Sequence, residues 1–168
     1  MDFNVKVGDP DKLRTACVVV GISAPRRLSP AAEHLDKASL GQLRELLKHN
    51  DIDTECGKTT LIHHPSEHIQ AARILVVGCG KEPTLSPQAY LKIAAAAAVA
   101  LQSSGATEAV SFLTELEVEL IGNAFQARTD QDVGDIHQQL DLGTVVELAV
   151  DRVETRHVVA VVAGSRPV

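Results

Sequence analysis

The sequence predicts an α/β fold in which a β-sheet carries helices on both faces. Three observations predict it. Apolar, β-branched runs recur along the chain, at residues 16–22, 74–77 and 158–162, and runs this continuous suit strands covered on both sides. Between them lie longer stretches whose leucines or alanines fall at helical spacing. Two of those stretches open with the same tripeptide, Leu28-Ser29-Pro30 and Leu85-Ser86-Pro87, which reads as a serine cap followed by proline at the first helical position. Strands alternating with helices place helices above and below one sheet.

Taken in order, Phe3, Val5 and Val7 alternate with polar residues and predict a first, half-buried strand. Residues 16–22 predict a second, central strand, with Val18, Val19, Val20 and Ile22 as its branched residues. The helical stretch after Ser29 carries Leu35, Leu43, Leu46 and Leu47 as an apolar stripe. Gly41 interrupts it, and Ser39-Leu40-Gly41-Gln42 fits a capping box, so the stretch divides into two short helices. Residues 59–63 predict a third strand and residues 73–78 the strongest one.

The helix after Ser86 runs to about Gln102 through five consecutive alanines, Ala94 to Ala98. Alanine is the best helix former and leaves a smooth surface, so this helix is expected to lie close on the sheet. Leu85 and Tyr90 stand at the staple positions either side of its cap. Residues 108–113 predict a further strand, residues 121–140 a helix weakened by Gly122, Thr129 and Gly134, and residues 157–162 a last strand.

The chain has 168 residues, one domain by length and enough to bury a core. Aromatic residues make up only 2%, with no Trp, so the core must be aliphatic. The same scarcity argues against a base-stacking platform for single-stranded nucleic acid. The net charge is −6 and is unevenly placed. Residues 106–168 hold 4 basic and 11 acidic side chains, the opposite of the clustered Lys and Arg that displace counterions from phosphates. No apolar run reaches 18 residues and the amino terminus has no leader pattern, which together read as cytoplasmic with no membrane partner. Cys17, Cys56 and Cys79 fall in no CxxC spacing. Cys17 and Cys79 sit in Val-rich runs and are expected as small buried hydrophobes.

Four patterns could carry chemistry, and each has a plainer reading. Gly57-Lys58-Thr59 resembles the end of a phosphate loop, but the required earlier glycine is Ile52 and a strand, not a helix, follows. Gly78-Cys79-Gly80-Lys81 follows a buried strand, where backbone amides of a turn could meet a phosphate. A dinucleotide fingerprint would need glycine where Pro83 stands, so a tight turn is the expectation. His63, His64 and His68 cluster, but neighbours on a strand face opposite ways, so His63 and His64 cannot aim at one ion without a bend. One partly buried histidine and two exposed ones are expected. Glu115, Glu117 and Glu119 alternate after a strand and read as a solvated acidic end. No catalytic, cofactor-binding or metal-ligating residue is assigned to this chain.

A resemblance adds to this reading. Ala16-Cys17-Val18-Val19-Val20-Gly21, Arg26-Arg27-Leu28-Ser29-Pro30-Ala31-Ala32-Glu33, residues 73–82 (Arg-Ile-Leu-Val-Val-Gly-Cys-Gly-Lys-Glu) and Phe112-Leu113-Thr114-Glu115-Leu116 occur in the order and spacing of the amino-terminal domain of bacterial leucyl aminopeptidases, the cytosol aminopeptidase family. The likeness is clear over residues 1–120 and weak over 121–168. It implies a three-layer α/β/α domain with a mixed central sheet, similar to a macro domain. In such proteins this domain is not catalytic, packs beside a carboxy-terminal catalytic domain, and helps protomers form a homo-hexamer. The catalytic domain holds two divalent metal ions, zinc or manganese, and carries an Asn-Thr-Asp-Ala-Glu-Gly-Arg motif absent from this chain. Some bacterial members also bind DNA. Here the segment after Leu116 turns acidic, at Asp130, Asp132, Asp135 and Asp141, which opposes that role.

The leading expectation is therefore a non-catalytic assembly or regulatory domain of a leucyl aminopeptidase, with no enzyme activity of its own. The alternative is a stand-alone macro-like module binding a nucleotide such as ADP-ribose. It rests on fold analogy and the 78–80 turn. A DNA-binding module is third.

Overall fold

The computed structural model describes residues 2–6, 8–119 and 159–163. Its strands are β1 (Asp2–Lys6), β2 (Val18–Ser23), β3 (Arg27–Leu28), β4 (Thr59–His63), β5 (Arg73–Gly78), β6 (Glu108–Ser111) and β7 (Val159–Ala163). Its helices are α1 (Pro30–Ala38), α2 (Gln42–Lys48) and α3 (Pro87–Ser104). The strands form one mixed sheet in the order β1-β7-β6-β2-β5-β4, with β3 folded back on β2. The central strands β6, β2 and β5 run parallel, and β4, β7 and β1 join antiparallel at the flanks.

Period-two alternation along the central strands divides the core in two. Val18, Val20, Ile22, Ile74 and Val76 face α1 and α2, where they meet Ala31, Ala32, Leu35, Leu43 and Leu47. Cys17, Val19, Leu75 and Val77 face the other way and meet Ile93 and Ala97 of α3. The expected three-layer arrangement thus follows from β-branched runs that are buried on both sides. Val18, Val19 and Val20 are each no more than 1% exposed, so every position of that run contributes to one layer or the other.

Both Leu-Ser-Pro signatures start helices. Ser29 Oγ accepts from the Ala32 amide and Ser86 Oγ from the Ala89 amide, with proline next in line each time. Leu85 is buried and Tyr90 packs against the same apolar cluster, as the staple positions require. The break between α1 and α2 is where Gly41 predicts it, but the capping box does not form. Gly41 itself is the cap residue of α2, at φ +90°, with no side-chain bond. Ser39 instead ends α1, its hydroxyl donating to the Asp36 carbonyl. The cap for α2 comes from Asp36, whose Oδ1 accepts from the Arg44 amide at 3.0 Å.

The predicted strands at residues 59–63 and 73–78 form as β4 and β5. The strand expected over 108–113 stops at Ser111 because Leu113–Glu115 winds into a single 3₁₀ turn. The last strand, expected over 157–162, is β7, set between β1 and β6. The helix expected over 121–140 lies outside the described residues.

Candidate functional site

In open sheets with parallel centres, ligands sit beyond the carboxyl ends of the strands. Here that edge gathers the 78–80 turn after β5, residues 24–29 after β2, the 3₁₀ turn after β6, and the starts of α1 and α3. Residues 53–58 lie across it.

The 78–80 turn has three backbone amides at this edge, and protein carbonyls accept all three. Gly78 N donates to Lys58 O at 2.8 Å, Cys79 N to Ile22 O at 2.8 Å, and Gly80 N to Thr54 O at 2.9 Å. The loop answers with Gly57 N to Gly78 O at 2.9 Å, and Ala24 N donates to Gly80 O at 2.7 Å. A Cβ on Gly78 would stand 2.2 Å from Glu55 O. Glycine is required there because the loop backbone lies directly on it. A phosphate would have to displace these bonds one for one, so the turn as folded is a closed joint and not an anion cradle.

The start of α1 is likewise committed. Pro30 has no N–H, Ser29 Oγ takes the Ala32 amide, and Glu115 Oε2 takes the Ala31 amide at 2.9 Å. Glu115 was expected in a solvated acidic end, but it is half-buried and caps a helix. Glu117 and Glu119 are exposed, and their backbones bracket Leu85 through Leu85 N to Glu117 O and Glu119 N to Leu85 O, both at 2.8 Å.

Cys17 and Cys79 are buried, as their Val-rich surroundings predict, and burial pushes both thiols up to about 11. Cys56 is half-buried with no disulfide. His63, His64 and His68 are all exposed, so the partly buried histidine expected among them is not found. The reason is that β4 is the last strand of the described sheet and ends at His63, leaving all three beyond the core. Gly57-Lys58-Thr59 is followed by β4, consistent with rejecting a phosphate loop. Among the described residues no group of three or more His, Cys, Asp or Glu side chains is placed to hold a metal ion, and no helix is long and apolar enough to cross a membrane. The donor set for a bridged metal pair is therefore not found among them.

One buried charge had no signal in the sequence. Asp36 is 1% exposed, and its Oδ2 lies 3.1 Å from Arg44 Nη1 outside hydrogen-bond geometry, an ion pair without a directed bond. Its role is to join α1 to α2.

Comparisons with known proteins agree with this architecture. In fold the chain is similar to the macrodomain of Mycobacterium tuberculosis DarG, with a TM-score of 0.50 over 80% of this chain and 88% of that one, at 11% identity. In sequence it is 48% identical over 119 residues to a probable cytosol aminopeptidase of Idiomarina loihiensis. That match takes in 71% of this chain but 24% of the relative, so the chain corresponds to about a quarter of the longer protein. Residues 19–128 match the model of the cytosol aminopeptidase family, N-terminal domain. With Ser29, Ser86 and the closed 78–80 joint all inside that span, the chain belongs to the cytosol aminopeptidase family, through its N-terminal domain.

Proposed function

We propose that this chain is a non-catalytic assembly or regulatory domain of a cytoplasmic metallo-aminopeptidase. Its partners in this reading are a catalytic domain of the same polypeptide and sister protomers in a homo-hexamer. The two metal ions, zinc or manganese, and the hydrolysis of amino-terminal residues belong to that other domain. The observation that carries the reading is the specific match to the N-terminal domain of the family, over 110 of the chain's residues from 19 to 128. One structural feature supports it: at the edge where α/β sheets take ligands, the three amides of the 78–80 turn are bonded to the chain's own carbonyls.

The test has two parts. An antibody against this domain measures the mass of the natural product in cell extract; a product much larger than 17.9 kDa is expected. The purified 168-residue chain is then assayed on a leucine anilide with zinc or manganese, and no hydrolysis is expected. Turnover by the short chain, lost when Glu and Asp side chains within it are replaced, would overturn the reading. A natural product of 17.9 kDa that gains thermal stability with ADP-ribose would favour the macro-like binding module instead.

A further inference from the structure

We propose that the open pocket at the end of β4, lined by His63, His64 and Arg73, binds a small oxyanion, a phosphate or carboxylate group. The pocket has a volume of about 310 Å³, and Pro65, Ala71 and Ala72 complete its lining. It lies at the opposite end of β5 from the closed 78–80 joint and is independent of the assembly reading.

Three features of the backbone bring these groups together. His63 and Arg73 are directly paired across β4 and β5, so their side chains share a face of the sheet. The next residue would ordinarily turn to the opposite face. His64 instead leaves the strand in the left-handed region, at φ +53°, and lines the same pocket as His63. A histidine there is strained backbone, and such strain clusters at binding sites. The bend that the sequence gives no sign of is present, and His63, His64 and Arg73 line one pocket.

Arg73 decides the sign of the ligand. Its guanidinium is always charged, and no carboxylate is among the six lining residues. A divalent cation would be held by two imidazoles against that charge, with no third ligand. An anion would find one fixed positive charge and two histidines in the lining. One opposing effect is local. Arg73 Nη1 donates to Ser104 O at 2.9 Å, at the carboxyl end of α3, where a helix carries roughly −0.5 elementary charge. The full charge of the guanidinium exceeds it. The same bond fixes the planar fork, whose five N–H donors allow others to serve a ligand. Fixed, charge-assisted donors favour oxyanions.

The experiment is an NMR titration of the full chain at low ionic strength, following the ring signals of His63 and His64 and the Nε of Arg73. Sodium phosphate, sodium acetate and, as control, sodium chloride are added separately. Saturable shifts with half-saturation on the order of 1 mM are expected for phosphate, acetate or both, and not for chloride. Saturation by one oxyanion alone identifies which group the site takes. Arg73→Gln should weaken binding at least tenfold. Because that change also removes the bond to Ser104 O, the exposed pair His63→Gln with His64→Asn is tested beside it, and Asn suits the left-handed backbone. That variant should keep the fold and lose most of the affinity. Linear shifts without saturation, equal response to chloride, or unchanged binding in the double variant would each overturn the proposal.

Discussion

Glu115 Oε2 accepts a hydrogen bond from the amide of Ala31 at 2.9 Å, across 84 positions of sequence. The carboxylate ends the 3₁₀ turn after β6 and sits at the positive end of α1, where negative charge is favoured. It thereby ties the far side of the sheet to the first helix. Replacing it with alanine should cost about 1–2 kcal/mol, the range for a lost cap. Glu115→Gln should cost less, because an amide oxygen still accepts. Urea denaturation of the two variants checks the order. Equal midpoints for both and for the parent protein would show that the cap carries no stability.

The joint at Gly78 should be the least tolerant glycine of the sheet. A methyl group there meets three backbone atoms of one loop, Glu55 O at 2.2 Å, Thr54 C at 2.8 Å and Asp53 O at 2.9 Å. Backbone cannot rotate away as a side chain can, so loop 53–58 must lift and its paired bonds to residues 78 and 80 must break. Gly78→Ala is expected to destabilise by about 3 kcal/mol, at the upper end for overpacking. Hydrogen exchange at the Gly57, Gly78 and Gly80 amides should rise together, since they belong to one set of bonds.

These two contacts also mark where the sequence is legible and where it is not. Local signals are read correctly. The Val18 to Val20 and Ile74 to Val77 runs give central strands, and the Ser-Pro pairs at 29–30 and 86–87 give helix starts, because those signals act within a few residues. Contacts between distant residues leave no such trace. Neither Glu115 over Ala31 nor loop 53–58 over Gly78 has a local pattern. The capping box at Ser39 failed for the same reason: Asp36, one turn back, reaches over to Arg44 and takes the position. A shared histidine site needs the bend at His64, but φ +53° at a histidine is set by the fold around it.

Asp36 and Arg44 give a test of burial against surface charge. An exposed ion pair is worth about 0–1 kcal/mol. Here the aspartate is 1% exposed while the arginine side chain is 55% exposed. Arg44→Ala leaves Oδ2 buried beside no opposite charge, and about 2 kcal/mol of destabilisation is expected. Asp36→Ala should cost at least as much, since it also uncaps α2 at the Arg44 amide. Both are read from thermal or urea unfolding. A loss of only a few tenths in Arg44→Ala would mean that the pair behaves as a surface bridge.

The two buried thiols predict both reactivity and pH dependence. With Cys17 and Cys79 raised to about 11, chiefly by burial, each is roughly one part in a thousand thiolate at pH 8. Iodoacetamide should therefore label Cys56 first in the folded chain and all three in urea, which peptide mass mapping resolves. For linkage, the folded state holds these protons to higher pH than the unfolded state, whose thiols have the ordinary value of 9.0. Between pH 9 and 11 the folded state binds more protons, so stability is intact below 9 and falls as pH rises through 11. Urea midpoints that stay level across that window would contradict it.

Leu40 predicts a substitution of opposite sign. It stands between α1 and α2 at φ +56° and is 87% exposed. The left-handed region costs a branched, non-glycine residue about 1 kcal/mol, and an exposed leucine gains almost nothing from burial in return. Asparagine tolerates this backbone, and the side chain it replaces makes no core contact, so Leu40→Asn should stabilise the chain by about 0.5–1 kcal/mol. By contrast, Gly41→Ala next door should destabilise by a similar amount. A Cβ there meets nothing within 4 Å, so the cost comes from φ +90° alone. Thermal unfolding of both variants, each at two protein concentrations, makes the comparison. If Leu40→Asn instead lowers the midpoint, and does so more at the higher concentration, the leucine is buried in solution against another molecule of the chain.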